Sequence, residues 1–302
     1  MISLIIPTYN KLERLRLTIE SLRHQTLDRD MYELILVDDN SKDGTDSFIE
    51  AERGSFDFNF KYIRHSENLG RSHSRNTGID NSSGDYLVFT DDDCIMSPEF
   101  LETHYKHMQE GYAVHGAIWN LSYLKFFKDP VKGILFDEFK NANVQSLIGK
   151  CISLLDIGDN FSRIEMEAKK TRFEKEIERA LKSHTTTFPW ISSTGGNIAV
   201  YAKDIRRIGA FDEKLGKQWG AEDIEMGYRL HKMGIHFKYL DRAAVYHIDH
   251  YRMNSAELSK KAMEYMYDKH RAVELKSAFD CFFNGLLDYG LWEKTYKEES
   301  GD

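Results

Sequence analysis

The chain has 302 residues, 41% hydrophobic and 13% aromatic, with 41 Lys and Arg against 49 Asp and Glu for a formal charge of −8. That composition is too apolar for a disordered chain, and the length suits one large domain or two modest ones with a substantial core. The acid excess argues against general nucleic-acid binding, which needs a basic face, and no apolar run approaches the roughly 20 residues that cross a bilayer.

The first half alternates short apolar runs with helical patterns. Ile2–Ile6 reads as a buried strand ending at Pro7, and Asn10 with Glu13 three residues on reads as a helix start. Leu12, Leu15, Ile19 and Leu22 then share one face at helical spacing. A strand at Leu34–Val37 follows, then the turn-rich DDNSKDG segment and a helix from about Thr45. Tyr62–Ile63 marks a short strand, Leu69–Ile79 a helix and Tyr86–Thr90 another strand. Ser97-Pro98-Glu99 supplies a cap, a proline and an early acid, the expected opening of a further helix. Strands alternating with helices imply βαβ units, hence an α/β fold with a mostly parallel sheet.

From about Trp119 to Pro189 the rhythm changes. The run RIEMEAKKTRFEKEIERALK within Asn160–Lys182 pairs opposite charges three or four apart, as expected of a solvated helix with a thin apolar stripe; a mobile lid or acceptor-recognition element is the alternative. Strand-like pieces return at Asn197–Tyr201, His236–Leu240 and Ala243–Tyr246, and a helical, aromatic-rich tail runs from about Asn254 to Trp292. The tail aromatics (Tyr265, Tyr267, Phe279, Phe282, Phe283, Tyr289, Trp292) are expected to pack on the core, with self-association through these helices or a membrane face as rivals. The basic residues Lys260, Lys261, Lys269, Arg271 and Lys276 are sparse for membrane docking. Cys94, Cys151 and Cys281 are odd in number, far apart and without a CxxC pair, which suits a reducing cytoplasm better than a disulfide framework or cysteine zinc site. MISLIIPTYN lacks the basic start of a secretory signal, so a cytoplasmic location is expected.

Four places carry more polar chemistry than folding needs. Pro7-Thr8-Tyr9-Asn10 follows the first strand, at the end where open α/β sheets bind ligands, but lacks the glycines of a phosphate-cradling loop; as local structure it ends a strand and caps a helix. Asp38-Asp39 ends the second strand, either as a turn former or as an acceptor for a ribose or base. Asp91-Asp92-Asp93 follows YLVFT. Three adjacent carboxylates repel one another unless cations or donors offset them, and a divalent metal is the economical offset. Trp219-Gly220-Ala221-Glu222-Asp223 leads into a helical pattern, where the acids either favour a helix dipole or supply a general base. Upstream, Gly195-Gly196-Asn197 permits close backbone approach or a tight turn. His247 and His250 flank Asp249 in HIDH, and His247 is a candidate third metal ligand. His104 and His107 read as surface residues, and Cys94 as a small buried one.

Taken in order, IPTYN, LVDDNS, NLGRSHSRNTGI, TDDDC, GGNIAV, FDE and WGAEDIEMGYR resemble the family 2 glycosyltransferases from about Ile2 to His250. The resemblance implies a GT-A (Rossmann-like) fold: a mostly parallel central sheet flanked by helices, here with a helical insert and a helical C-terminal tail. It divides the chain into a nucleotide-sugar-binding half over 1–115, an acceptor-binding and catalytic half over 116–250 containing the insert at about 120–189, and an extension over 251–302. It implies a nucleotide-sugar donor, usually UDP-linked, and places Pro7, Thr8, Tyr9, Asn10, Asp38, Asp39, Arg75, Asp92 and Gly196 around it. Asp91 and Asp93 match the DxD pair that carries Mn²⁺ or Mg²⁺, with His247 as the late metal-binding histidine. Asp223, beside Glu222, matches the base of an inverting transfer. The acceptor would be a glycan, a lipid-linked molecule or a peptide, in bacterial polysaccharide or glycoconjugate biosynthesis, in the cytoplasm or peripherally at the inner face of the membrane. No QxxRW motif appears, which counts against a processive synthase.

Two rivals remain at this level. A sugar nucleotidyltransferase would want a Gly-rich basic loop where Pro-Thr-Tyr-Asn stands, and a non-catalytic nucleotide- or glycan-binding module would not need Glu222-Asp223. Seven of the acids (Asp38, Asp39, Asp91, Asp92, Asp93, Glu222, Asp223) are assigned to the site, and without them the charge of −8 falls to −1. The acid excess is therefore read as a metal-dependent cleft.

Overall fold

The computed structural model of the chain describes residues 1–140, 147, 149–184, 186–216, 221–250, 255–283 and 289–300. Among them, eight strands form one sheet: β1 (Ile2–Thr8), β2 (Tyr32–Asp38), β3 (Asn59–Arg64), β4 (Tyr86–Thr90), β5 (Cys94–Met96), β6 (Tyr112–Asn120), β9 (Asn197–Tyr201) and β10 (His236–His247). Their order is β3-β2-β1-β4-β9-β6-β10-β5. The first four are parallel, β9 runs antiparallel to β4 and β6, β10 is parallel to β6, and β5 is antiparallel to β10.

The parallel half follows from the sequence. All seven residues of β1 and of β2 are buried, the run of apolar residues expected of strands covered on both faces. At the sheet edge β3 is partly exposed and carries Lys61 and Arg64, charges that blunt an edge. Successive side chains point to opposite faces, so two cores form. One gathers Ile5, Ile35, Leu87 and Phe89 with Trp190 and Met226. The other gathers Leu4, Ile6, Leu34, Leu36 and Val88 with Leu15, Ile19 and Leu22 of α1 (Leu12–Arg23). Each such side chain contributes about 1.5–3 kcal/mol by leaving water.

Two expectations near the first strand are corrected. β1 does not stop at Pro7 but continues through it to Thr8. Pairing with β4 ends at Ile5, so the missing N–H of Pro7 falls where only β2 is a neighbour. Asn10 does not cap α1. It sits in a left-handed conformation (φ 52°), its side chain accepts from Lys42 N–H, and Asp43 reaches in from the neighbouring loop to accept from Leu12 N–H.

α2 (Thr45–Glu52) and α3 (Arg71–Asp80) complete the crossovers, and α4 (Phe100–Lys106) begins after Pro98 rather than around it. The segment at 120–189 is not purely helical. It opens with a hairpin of β7 (Phe127–Asp129) and β8 (Ile134–Leu135), then carries α5 (Leu154–Gly158), α6 (Phe161–Glu167) and α7 (Arg172–Ser183). In α7 the apolar stripe is Ile177, Ala180 and Leu181, but Glu174 is buried too: it faces His115 at 3.1 Å and accepts from Tyr239 O–H and Ile118 N–H. His104 is likewise fully buried rather than on the surface, because Asn197 Oδ1 meets its Nε2 at 3.2 Å, and desolvation pushes its pKa down to about 4. After α8 (Ala202–Arg207) and α9 (Glu222–Lys232), the two expected late strands merge into β10 across an irregularity between Leu240 and Val245. The helical tail is α10 (Ser255–His270), α11 (Val273–Phe283) and α12 (Tyr289–Ser300). Its Trp292 packs against Phe188 and its Tyr265 donates to Asp212, whereas the side chains of Phe279, Phe282, Phe283 and Tyr289 lie outside the described residues. No helix among the described residues is long and apolar enough to cross a membrane.

Candidate active site

The carboxyl ends of β1, β2 and β4 lie side by side, which brings the first three polar segments together. Thr8 is buried and its hydroxyl donates to Asp92 Oδ2 at 2.8 Å, while Tyr9 stays exposed and adds its N–H to the same oxygen. Asp38 is fully buried and spent on structure: it accepts from Ser41 N–H at 2.8 Å and Tyr62 O–H at 2.7 Å. Asp39 accepts from Leu69 N–H and Gly70 N–H, both at 2.8 Å, and its Oδ1 lies 2.9 Å from His65 Nδ1. It thus ties the end of β2 to the start of α3, the helix that carries Arg71 and Arg75.

The three acids after β4 face three ways. Asp91 Oδ1 accepts from Arg75 Nη2 at 3.0 Å. Burial would raise its pKa, yet Arg71 and Arg75 hold it below the ordinary value. Asp92 turns to Thr8 and to Lys11, whose Nζ lies 3.3 Å from Oδ1; burial outweighs these partners and raises it. Asp93 meets Lys11 at 2.6 Å, His250 Nε2 at 3.2 Å and His247 Nε2 at 3.6 Å. Burial opposes ionisation there too, but Lys11 and the two histidines hold Asp93 well below the usual carboxylate range.

The register of β5 on β10 explains this meeting: Cys94 pairs with His247, so the residue before β5 lands beside HIDH, and Ile248 N–H donates to Asp93 O. Asp93, His247 and His250 each offer a ligand atom, all within 4.8 Å of one another. Two imidazoles and one carboxylate form a mixed nitrogen and oxygen donor set that suits a divalent transition-metal ion. His247 Nδ1 lies 2.9 Å from Asn120 Oδ1, the kind of support that orients a metal-binding ring. The residues therefore fit a divalent ion. Asp91 stands outside that group of three, on the arginine side.

Arg75 is fully buried and joins the acid cluster to the Glu-Asp pair. Its Nη1 donates to Glu222 Oε1 at 2.8 Å while Nη2 holds Asp91, and Phe211 covers the guanidinium. Arg71 Nη1 adds a second cation 3.6 Å from Glu222. Asp223 Oδ2 accepts from Gly195 N–H at 2.6 Å and Oδ1 from Ile224 N–H at 2.8 Å, which fixes the carboxylate. Burial first, then the neighbouring Glu222, push Asp223 up to about 6 against the pull of Arg75. Gly195 is needed for close approach, since a Cβ there would overlap the Arg75 guanidinium, whereas one on Gly196 would meet Asp91 Oδ2 at an ordinary 3.8 Å. Ala221, just before α9, is held at φ 74°. Trp219 and Gly220 lie outside the described residues.

This geometry belongs with a known group. The model for "Glycosyl transferase family 2" matches residues 3–156, half of the chain. The chain belongs to glycosyl transferase family 2. A second model, "N-terminal domain of galactosyltransferase", matches residues 175–253, the stretch holding Asp223 and both histidines. The family 2 chain is 28% identical over 297 residues to the uncharacterized glycosyltransferase YfnE of Bacillus subtilis, covering 92% of this chain and 73% of that one. It is 26% identical to chondroitin synthase of Escherichia coli, covering 82% of this chain but only 34% of the synthase. Among solved structures, S. aureus TarS 1-349 in complex with UDP-GlcNAc aligns with a TM-score of 0.54 at 17% identity, over 88% of this chain and 65% of that one. Mannosyltransferase PcManGT from Pyrobaculum calidifontis, in complex with GDP-Man and Mn²⁺, aligns with a TM-score of 0.53 at 17% identity, over 85% of this chain and 59% of that one. The fold is that of the GT-A glycosyltransferases.

Two residues of this family 2 chain that face the acid cluster have no signal of their own in the sequence. Lys11 and Arg71 lie inside motifs whose neighbours drew attention, and only the convergence of β1, α3 and β4 shows what they face. The sequence leaves open whether His247 or His250 of HIDH is the ligand, and the structure brings both to Asp93.

Proposed function

We propose that the chain moves a sugar from a nucleotide sugar, UDP-linked for preference, to a hydroxyl or other nucleophile of a glycan, lipid-linked or peptide acceptor, with inversion and assisted by a divalent metal. One observation carries this reading: buried Arg75 ties the acid cluster at the end of β4 to the Glu222-Asp223 pair at the start of α9. The ion-pair chain Asp91–Arg75–Glu222 therefore joins the segment that holds Asp93 to the neighbour of Asp223.

The roles follow from position and charge. Asp223, held by two backbone amides and lifted toward neutral pH, takes the proton of the acceptor nucleophile. The acceptor atom forms a bond to the anomeric carbon as the bond to the diphosphate oxygen breaks, and that oxygen leaves with the electron pair. One displacement of this kind inverts the anomeric centre. Lys11 and Arg71, the partly exposed cations of the cluster, supply charge to the leaving diphosphate, while Arg75 is committed to Asp91 and Glu222. Asp93, His247 and His250 would hold a divalent ion, which would supply Lewis-acid stabilisation of the same charge. Thr8, Asp39 and the exposed Tyr9 border the space left for the nucleoside.

A screen of UDP-, GDP- and dTDP-sugars for slow nucleoside diphosphate release tests the reading. Release from one donor class by the wild type, lost in Asp223→Asn, is the expected result. Pyrophosphate exchange would favour the nucleotidyltransferase instead, and tight nucleotide binding with no turnover of any donor would favour the binding module.

A further inference from the structure

The acid cluster already contains a cation of its own. Lys11, just before α1, has a side chain only 22% exposed, with Nζ 2.6 Å from Asp93 Oδ2 and 3.3 Å from Asp92 Oδ1. Asp93 Oδ2 is also the oxygen 3.2 Å from His250 Nε2. The ammonium and a divalent ion on Asp93, His247 and His250 would therefore draw on the same carboxylate, and two cations sharing it repel.

Taking Asp93, His247 and His250 as the metal ligands, we propose that Lys11 is a displaceable counter-cation: it neutralises Asp92 and Asp93 in the nucleotide-free protein and yields Asp93 to the metal when a nucleoside diphosphate enters, its ammonium turning to the phosphate oxygens. The side chain is free to do this alone. Its backbone is pinned, because the Lys11 carbonyl accepts from Arg14 N–H and Leu15 N–H and the next residue is held by Asp43. Lysine is a point charge on a flexible four-carbon stem, so it changes partner without the fixed fork of an arginine. When the lysine leaves, Asp92 keeps Thr8 O–H and Tyr9 N–H on Oδ2 and gives up only the longer lysine contact on Oδ1. The consequence is thermodynamic coupling. Metal binds weakly without nucleotide because it competes with Lys11, and each ligand strengthens the other by the same factor.

Calorimetric titration of Mn²⁺ into the full chain, with and without UDP, measures that factor. In the wild type, UDP is expected to tighten Mn²⁺ binding by a factor of about 10 or more, within the usual range of coupling. Lys11→Met is expected to bind Mn²⁺ about tenfold more tightly than wild type without UDP, and to lose most of the coupling. Its Tm in chelator should fall below that of wild type, and the gap should close on adding Mn²⁺. If Lys11→Met does not fold without metal, Lys11→Gln carries the same comparison. Asp93→Asn keeps the two ideas apart. Mn²⁺ binding lost in Asp93→Asn but equal in wild type and Lys11→Met overturns the role of Lys11 alone. Mn²⁺ binding undiminished in Asp93→Asn, or absent from wild type with and without UDP, overturns the metal reading itself and the proposal with it.

Discussion

At the scale of single residues, the chemistry rests on how Asp223 is held. Replacing it by Asn keeps one of the two backbone hydrogen bonds, because the amide NH2 cannot accept from an N–H, and removes the base, so turnover should fall about 10²- to 10⁴-fold while UDP affinity changes little. UDP release and UDP titration measured on the same preparation check both halves. The acid limb of the pH profile follows from the raised pKa. As the proposed base Asp223 would work as the anion, and with its pKa pushed up to about 6 the rate should be full above that pH and fall about tenfold per unit below it. Glu222→Gln removes a neighbouring charge that raises Asp223, so the limb should move to lower pH; an unmoved limb would assign it to another group. Gly195 matters for a different reason. In Gly195→Ala the new methyl would overlap Arg75, which is buried and cannot step aside, so activity and Tm should both drop. Retained Tm with lost activity would mean that only the Asp223 contact had shifted.

At the scale of elements, the helix carrying Glu222 and Asp223 is braced from behind. Glu225, one turn into α9, is fully buried and meets Arg229 of the same helix, with Lys269 at 2.8 Å and His270 at 2.8 Å from α10. Lys269 also binds Asp212, before the segment that leads to α9. The C-terminal helices therefore do more than cover an apolar face. Glu225→Ala leaves Arg229 and Lys269 without their shared carboxylate, and breaking a buried pair of this kind costs about 3–5 kcal/mol. A chemical denaturation series should show that loss, and Glu225→Ala combined with Lys269→Met should cost less than the two single changes added together. Element identity was largely legible from the sequence, because β1, β2 and β4 are short apolar runs and α1 repeats at helical spacing. Element ends were not. Asn10 carries the residue type of a cap, yet Asp43 from a distant loop does the capping, and local propensity does not register a partner 31 residues away.

At the scale of the whole molecule, one sheet assembles the site from segments spread over most of the chain. β6 runs across position 115, so the expected boundary there falls inside a strand of the shared sheet. The charge of −8 also has a different meaning at this scale. Asp38 and Asp39 accept hydrogen bonds from backbone amides, and the other five acids assigned to the site face three internal cations, Lys11, Arg71 and Arg75. The cluster is thus partly offset by the protein itself, with an excess that a divalent ion would complement. EDTA should abolish UDP release and Mn²⁺ should restore it; full activity in chelator would remove the metal from the mechanism. The sequence by itself determined the α/β alternation, the family and the acidic segments at strand ends, because apolar periodicity and ordered motifs are local patterns. Only the tertiary structure decided which acids are structural, that His250 joins His247 at Asp93, and that Lys11, Arg71 and Arg75 face the cluster. Those facts depend on strand register and on contacts between residues tens to hundreds of positions apart, where the electrostatics of burial and pairing act and no local pattern reaches.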